Sequence, residues 1–190
     1  TREAVAQGLP AARILNDGLI AGMNVVGERF KCHDIFLPDV LLAARAMYAG
    51  MEELKPLLIR DGVPARGRVV LGTVQGDLHD IGKNLVAIML RGAGYEVVDL
   101  GHNVAPAAFV DAAERADARV IGLSALLTTT MPVMRQVVEQ VRARGLAGRV
   151  RVIVGGAPVS ADFAREIGAD DYGYDGASAV DKVAALMAAR

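Results

Sequence analysis

From Arg68 onward, short β-branched apolar runs alternate with stretches at helical spacing, and this alternation constrains the fold more than any other feature of the chain. The pattern predicts strands over 68–74, 95–100, 120–124, 150–154 and 170–172. It predicts helices over 83–92, 106–116, 131–144, 160–167 and 177–189, with Gly94 and Gly145 as helix stops. Five β–α units in succession indicate an open parallel sheet with helices on both faces, the flavodoxin-like or Rossmann-like arrangement.

Residues 1–60 follow a different period. Leu15, Leu19, Met23, Val26 and Phe30 recur at three- to four-residue steps. After Pro38 so do Val40, Ala44, Met47, Met51, Leu54 and Leu58. Each set describes one face of a helix, and Pro10 suits a first helical position. Asp61-Gly62-Val63-Pro64-Ala65-Arg66-Gly67 is rich in breakers and reads as a linker. The expected organisation is therefore a helical bundle over 1–64 followed by an α/β domain over 65–190.

Composition narrows the function classes. The net charge is −1, from 21 basic and 22 acidic residues spread along the chain, which gives no footprint for nucleic acid or an acidic membrane. Cys32 is the single cysteine, so no internal disulfide can form and a reducing compartment is expected. No apolar run approaches the roughly 20 residues that span a bilayer, and Thr1 opens no signal-like segment. A cytoplasmic protein is expected.

In a sheet of order 2-1-3-4-5, ligands bind beyond the strand carboxyl ends, between the first and third strands. The first strand runs into Gly76-Asp77-Leu78-His79-Asp80-Ile81-Gly82, the third into Ser124 and then Thr128-Thr129-Thr130, the fourth into Gly155-Gly156. A carboxylate two residues before an imidazole can hold one ring nitrogen while the other binds a metal. Taken singly the pieces have plainer readings: a solvated loop His, hydroxyls that cap the next helix, glycines that serve turns. The dinucleotide fingerprint G-x-G-x-x-G is absent after the first strand, which argues against a nicotinamide or flavin dinucleotide.

Together these pieces resemble the corrinoid proteins, the cobalamin-carrying subunits of methyltransferase systems, and the cobalamin module of methionine synthase. The family pattern is D-x-H-x-x-G, then S-x-L, then G-G. Here Asp77-Leu78-His79-Asp80-Ile81-Gly82 is followed by Ser124-Ala125-Leu126 and Gly155-Gly156, in that order. Val26-Gly27-Glu28-Arg29-Phe30 and Phe36-Leu37-Pro38-Asp39 resemble the family's cap motifs. The family usually has further helix before this point, so residues 1–9 look like the tail of a longer bundle.

The resemblance implies cobalamin bound base-off and His-on, passing between methylcobalamin and cob(I)alamin. His79 would be the lower axial ligand to cobalt, with Asp77 on its other nitrogen and Thr130, where relatives carry Ser, completing a relay. Gly76 and Asp80 would flank the ligand beside Leu78 and Ile81, and Gly82 would allow close backbone approach. Ser124, Thr128, Gly155, Gly156 and Gly176 would line a slot for the displaced nucleotide, with Leu126 as wall. Phe30 and Leu37 would shield the upper corrin face. Ordinary bundle packing accounts equally well for those two.

The implied function is a methyl carrier, not itself a catalyst, of methylamine or methanol type. Its implied partners are a substrate-specific methyltransferase, an acceptor methyltransferase and a reductive activation protein. A cobalamin-dependent sensor and a methionine synthase module are the alternatives; no basic helix-turn-helix segment is visible to support the sensor. His33 beside Cys32 lacks further ligands at usable spacing and reads as solvated. His102 reads as a surface loop residue, and Tyr172 and Tyr174 as core filling or the nucleotide end of the slot.

Overall fold

The computed structural model describes residues 1–63 and 65–188. The expected domain boundary at Pro64 and the end of the last predicted helix at 189 lie outside the described residues. The helical half comprises α1 (Arg2–Ala6), α2 (Ala11–Arg13), a π-helical stretch Ile14–Ile20 that continues into α3 (Ala21–Lys31), and α4 (Leu37–Arg60). The remainder alternates β1 (Arg68–Thr73), α5 (Ile81–Gly92), β2 (Glu96–Asp99), α6 (Pro106–Arg115), β3 (Val120–Ser124), α7 (Met131–Ala143), β4 (Arg151–Gly155), α8 (Ala161–Ile167), β5 (Asp171–Gly173) and α9 (Gly176–Ala188).

All strand pairings are parallel and the sheet order is β2-β1-β3-β4-β5, the expected order with the expected switch point between β1 and β3. Register aligns Thr73, Ser124, Gly155 and Gly173 in one row across the strand carboxyl ends. Small residues there leave room above the edge. Strand side chains alternate between two cores. Val70, Ile121, Val152 and Val154 pack with Phe109, Met134 and Ile167 from α6, α7 and α8. Val69, Val120 and Ile153 pack with Leu90 of α5 and Val183 of α9 on the opposite face.

The helical half sits over α5 and α9, where Val26, Phe30 and Val40 meet Leu85, Met89 and Ala177. A Cβ at Gly92 would lie 3.1 Å from Met23 Cε, so glycine lets α3 approach α5 closely. Helix α4 starts where Asp39 accepts the Phe36 N–H at 2.9 Å, with Pro38 in the first turn, where a missing donor costs nothing. Val40, Ala44, Met47 and Leu54 are buried as its period predicts, with Met51 and Leu58 half-buried.

The first helical face departs from expectation. The π stretch widens the turn, so Ile14 and Ile20 become the buried residues while Leu15 and Leu19 are only half-buried. A fixed 3.6-residue period cannot register that shift. Pro10 precedes the helix instead of occupying its first position. Among the described residues, no helix is long and apolar enough to cross a membrane.

Candidate cofactor site

The loop from β1 into α5 is held by side chains from two directions. Thr73, itself fully buried, donates its hydroxyl to the His79 carbonyl at 3.0 Å. Asn103 accepts the Gly76 N–H at 2.8 Å and donates its own backbone N–H to the Asp77 carbonyl at 3.0 Å. Gly76 takes φ +86°, a left-handed conformation that a glycine adopts without strain.

Asp77 is completely buried at the centre. Its Oδ1 accepts the His79 N–H at 3.0 Å and lies 2.7 Å from His79 Nδ1. Its Oδ2 accepts the backbone N–H groups of Leu126 (2.7 Å) and Leu127 (3.1 Å), with the Thr130 hydroxyl at 3.0 Å. Burial is the largest single influence and pushes this carboxyl upward. The donors of His79, Leu126 and Leu127 together outweigh it and hold the pKa below the usual carboxylate range. An ionised Asp77 only accepts hydrogen bonds, so the imidazole proton belongs on Nδ1 and the lone pair on Nε2. The ring is about half-exposed (53%), and Nε2 has no hydrogen-bond partner among the described residues. Thr130 Oγ1 also lies 2.8 Å from the Leu127 carbonyl, so its one proton serves either that oxygen or Asp77.

His79 opens onto a cleft of about 640 Å³ between the sheet and helices α5 and α9. Of the residues singled out in the sequence, Leu78, Asp80, Ile81, Gly82, Ser124, Leu126, Gly155, Gly156, Gly176 and Phe30 line it, while Asp77 and Thr130 stand behind it. Three further expected residues also lie outside the lining. Gly76 turns toward Asn103. Thr128 sits in an exposed turn whose backbone amides, not its hydroxyl, face Asp77. Leu37 is the half-buried first residue of α4, away from the cleft. Gly155 and Gly156 also have a reason of their own: added Cβ atoms would lie 2.9 Å from the Gly173 carbonyl and 1.9 Å from the Ala125 carbonyl. They permit close backbone approach before they make space.

Of the secondary candidates, His33, Cys32 and His102 are exposed and outside the cleft, Tyr174 stands at its rim, and Tyr172 packs into the core of the other sheet face. Sequence reasoning missed the Leu126 and Leu127 amides, Thr73, Asn103, and Lys83. The last is 3% exposed, lines the cleft and pairs with Asp99 at 2.6 and 2.7 Å. A lysine in the first turn of a helix opposes the macrodipole, a signal that it has a carboxylate partner. Backbone donors leave no residue signature at all.

No group of three or more His, Cys, Asp or Glu side chains able to hold a metal exists among the described residues. A lone imidazole beside a large cleft does not suit a metal that needs three or four protein ligands. It suits a metal that arrives inside a macrocycle and lacks one axial ligand.

The fold and site therefore define a helix-capped α/β module for a metal-bearing organic cofactor. The B12 binding domain family matches residues 67–183, and a second B12 binding domain family matches residues 1–55. Trimethylamine corrinoid protein 1 of Methanosarcina mazei is 44% identical over 97% of this chain and 87% of its own length. Dimethylamine corrinoid protein 1 of Methanosarcina acetivorans is 46% identical over 95% and 85%. The methanol:cobalamin methyltransferase complex MtaBC of Methanosarcina barkeri superposes with a TM-score of 0.88 at 32% identity, covering 100% of this chain and 72% of that one. The chain belongs to the cobalamin-binding corrinoid proteins of methyltransferase systems, and cobalamin is its cofactor.

Proposed function

We propose that this chain is a methyl carrier for a methylamine-type methyltransferase system, with a cap over residues 1–64 and a cobalamin-binding domain over 65–190. The observation that supports it most is the 2.7 Å contact between His79 Nδ1 and a fully buried Asp77, which leaves the Nε2 lone pair free at the cleft. Bound cobalamin supplies a cobalt centre that accepts and releases a methyl group. The protein's part is positional and protonic. His79 Nε2 would hold the cobalt of the bound cofactor, and Asp77 fixes the tautomer and orientation of the ring. Thr130 shares its proton between Asp77 and the Leu127 carbonyl.

Leu78, Asp80, Ile81 and Gly82 form the seat beside the ligand, with Gly76 setting the loop's turn. Ser124, Leu126, Gly155, Gly156 and Gly176 wall the slot for the displaced nucleotide, and Phe30 approaches from the helical half. Thr128 and Leu37, outside the lining, have no part in this reading. Three partners follow from the chemistry: a substrate-specific methyltransferase that loads the carrier, an acceptor methyltransferase that unloads it, and a reductive activation protein that rescues oxidised cobalt. The trimethylamine and dimethylamine names of the relatives support the methylamine type. The test is methyl transfer: the loaded protein, mixed with a methylamine methyltransferase and then with a thiol-directed one, is expected to pass radiolabelled methyl from amine to thiol. Failure with both enzymes, while cobalamin remains bound through His79, would overturn the carrier role.

A further inference from the structure

The cleft changes character with depth. Its polar side chains, His79, Asp80, Lys83, Ser124, Tyr174 and Asp175, stand at strand carboxyl ends, in the loops beyond them or in a first helical turn. Below them the walls are Val69, Leu71 and Ile153 on the strands, Val86 and Leu90 on α5, and Val183 on α9. Val69, Leu90 and Val183 each expose 1% or less. The strands here are paired on both sides through the sheet ladder, and the helical residues lie within regular helix. The deep part of the slot therefore offers a ligand no side-chain donor or acceptor.

Polar atoms carried into such a place lose their water and gain no partner, whereas methyl groups gain from leaving water. We propose that this chain selects its cofactor by the base at the end of the nucleotide tail, favouring a methylated benzimidazole over a purine. The inference rests on the reading in which His79 displaces that base and the tail enters the slot. Dimethylbenzimidazole brings two methyl groups and a hydrocarbon ring edge to the apolar end. Adenine brings an exocyclic amine and additional ring nitrogens, which would face only valine, leucine and isoleucine. This is the asymmetry by which an apolar site rejects a ligand whose polar groups it cannot satisfy.

Three probes test it on the whole chain: hydroxocobalamin, the corresponding adeninylcobamide, and cobinamide, which has no nucleotide. Affinity is measured by ultrafiltration, and the visible spectrum reports whether imidazole is on cobalt. The expected result is cobalamin bound at least about tenfold more tightly than adeninylcobamide, both with the imidazole-bound spectrum, and cobinamide weaker than cobalamin. Val183→Thr places a hydroxyl in the slot at nearly constant shape. It should narrow the ratio by strengthening the adenine form, and Val86→Thr on the opposite wall does the same should the first variant fold poorly. Equal affinity for the two bases, or a tighter adenine form, would overturn base selection while leaving His79 ligation standing. Cobinamide binding as tightly as cobalamin would also overturn it, because the slot would then contribute nothing. An imidazole-bound spectrum with none of the three probes would overturn both the inference and the axial-ligand reading beneath it.

Discussion

In the sheet half, Asp77, His79, Leu126, Leu127 and Thr130 come from two loops some fifty positions apart and are joined by directional hydrogen bonds of 2.7–3.1 Å. In the helical half, Phe30 is the one residue among those described that lines the cleft, and it is placed by apolar contact in a cluster with Val40, Met89 and Ala177. Directional bonds fix an imidazole to within a few tenths of an ångström and specify which nitrogen carries the proton. Apolar contact fixes volume and little else. The site in the sheet half is fixed by directional bonds, and the helical half meets the cleft through apolar volume.

The contrast is broken most directly by exchanging histidines. His79→Ala is expected to abolish the imidazole-bound spectrum with hydroxocobalamin and to weaken binding by more than tenfold. His33→Ala, in the exposed turn after α3, should leave both unchanged. Equal spectra for His79→Ala and the unsubstituted chain would remove the axial-ligand assignment.

Asp77→Asn attacks the bond network instead of the ligand. The amide nitrogen would face backbone N–H donors, and each buried donor left unpaired costs about 1–3 kcal/mol, so a loss of roughly 3 kcal/mol in urea unfolding is expected. The same carboxylate sets an acid limit. Its folded pKa lies below the ordinary aspartate value of 3.8, so its stabilisation is fully present above that pH. It declines as the pH falls from there toward the lower folded value. The stability gap between the unsubstituted chain and Asp77→Asn should therefore be constant from about pH 5 to 7 and shrink in more acidic solution. A gap that widened on acidification would reverse the sign of the shift.

Two lysines compare the halves by charge. Lys83→Met leaves Asp99 without the ammonium that neutralises it at 2.6 Å, and breaking such a partly buried pair should cost about 2–3 kcal/mol. Lys31, on α3, pairs with Asp181 of α9 across the two halves, but both side chains are largely in water. Lys31→Met should leave the urea midpoint unmoved.

The same contrast decides what a reader of the sequence could see. Strand order and the position of the cleft were legible because a buried, largely apolar run such as Val69–Val74 admits few alternatives, and because a parallel sheet of this order has one switch point. His79 and Asp77 were legible only as a pattern, because three separated pieces had to agree, and Thr130 only through the family resemblance. What escaped had no side-chain signature. The Leu126 and Leu127 amides are invisible as residue types, and Thr128 was picked for a hydroxyl in a turn that works through its backbone. The π stretch Ile14–Ile20 escaped because a regular period is assumed wherever apolar residues recur.

The smallest expected effect falls on the helical half. Phe30 lines the cleft and is half-buried, whereas Leu37, which opens α4, does not reach it. Removing the Phe30 ring takes apolar surface from the cleft wall and from the contact with Val40 and Met89. Phe30→Ala should therefore cost about 1–2 kcal/mol of stability, less than full burial of an aromatic ring would imply, and weaken cobalamin binding severalfold. Phe30→Leu should restore most of both, because apolar exclusion depends on volume and not on ring geometry. Leu37→Ala should leave cobalamin affinity within about twofold of the unsubstituted chain, on the scale of a surface substitution. Should Phe30→Leu instead behave like Phe30→Ala, the helical half would be supplying a specific ring contact. The division between a geometric half and an excluding half would then fail at the residue that joins them.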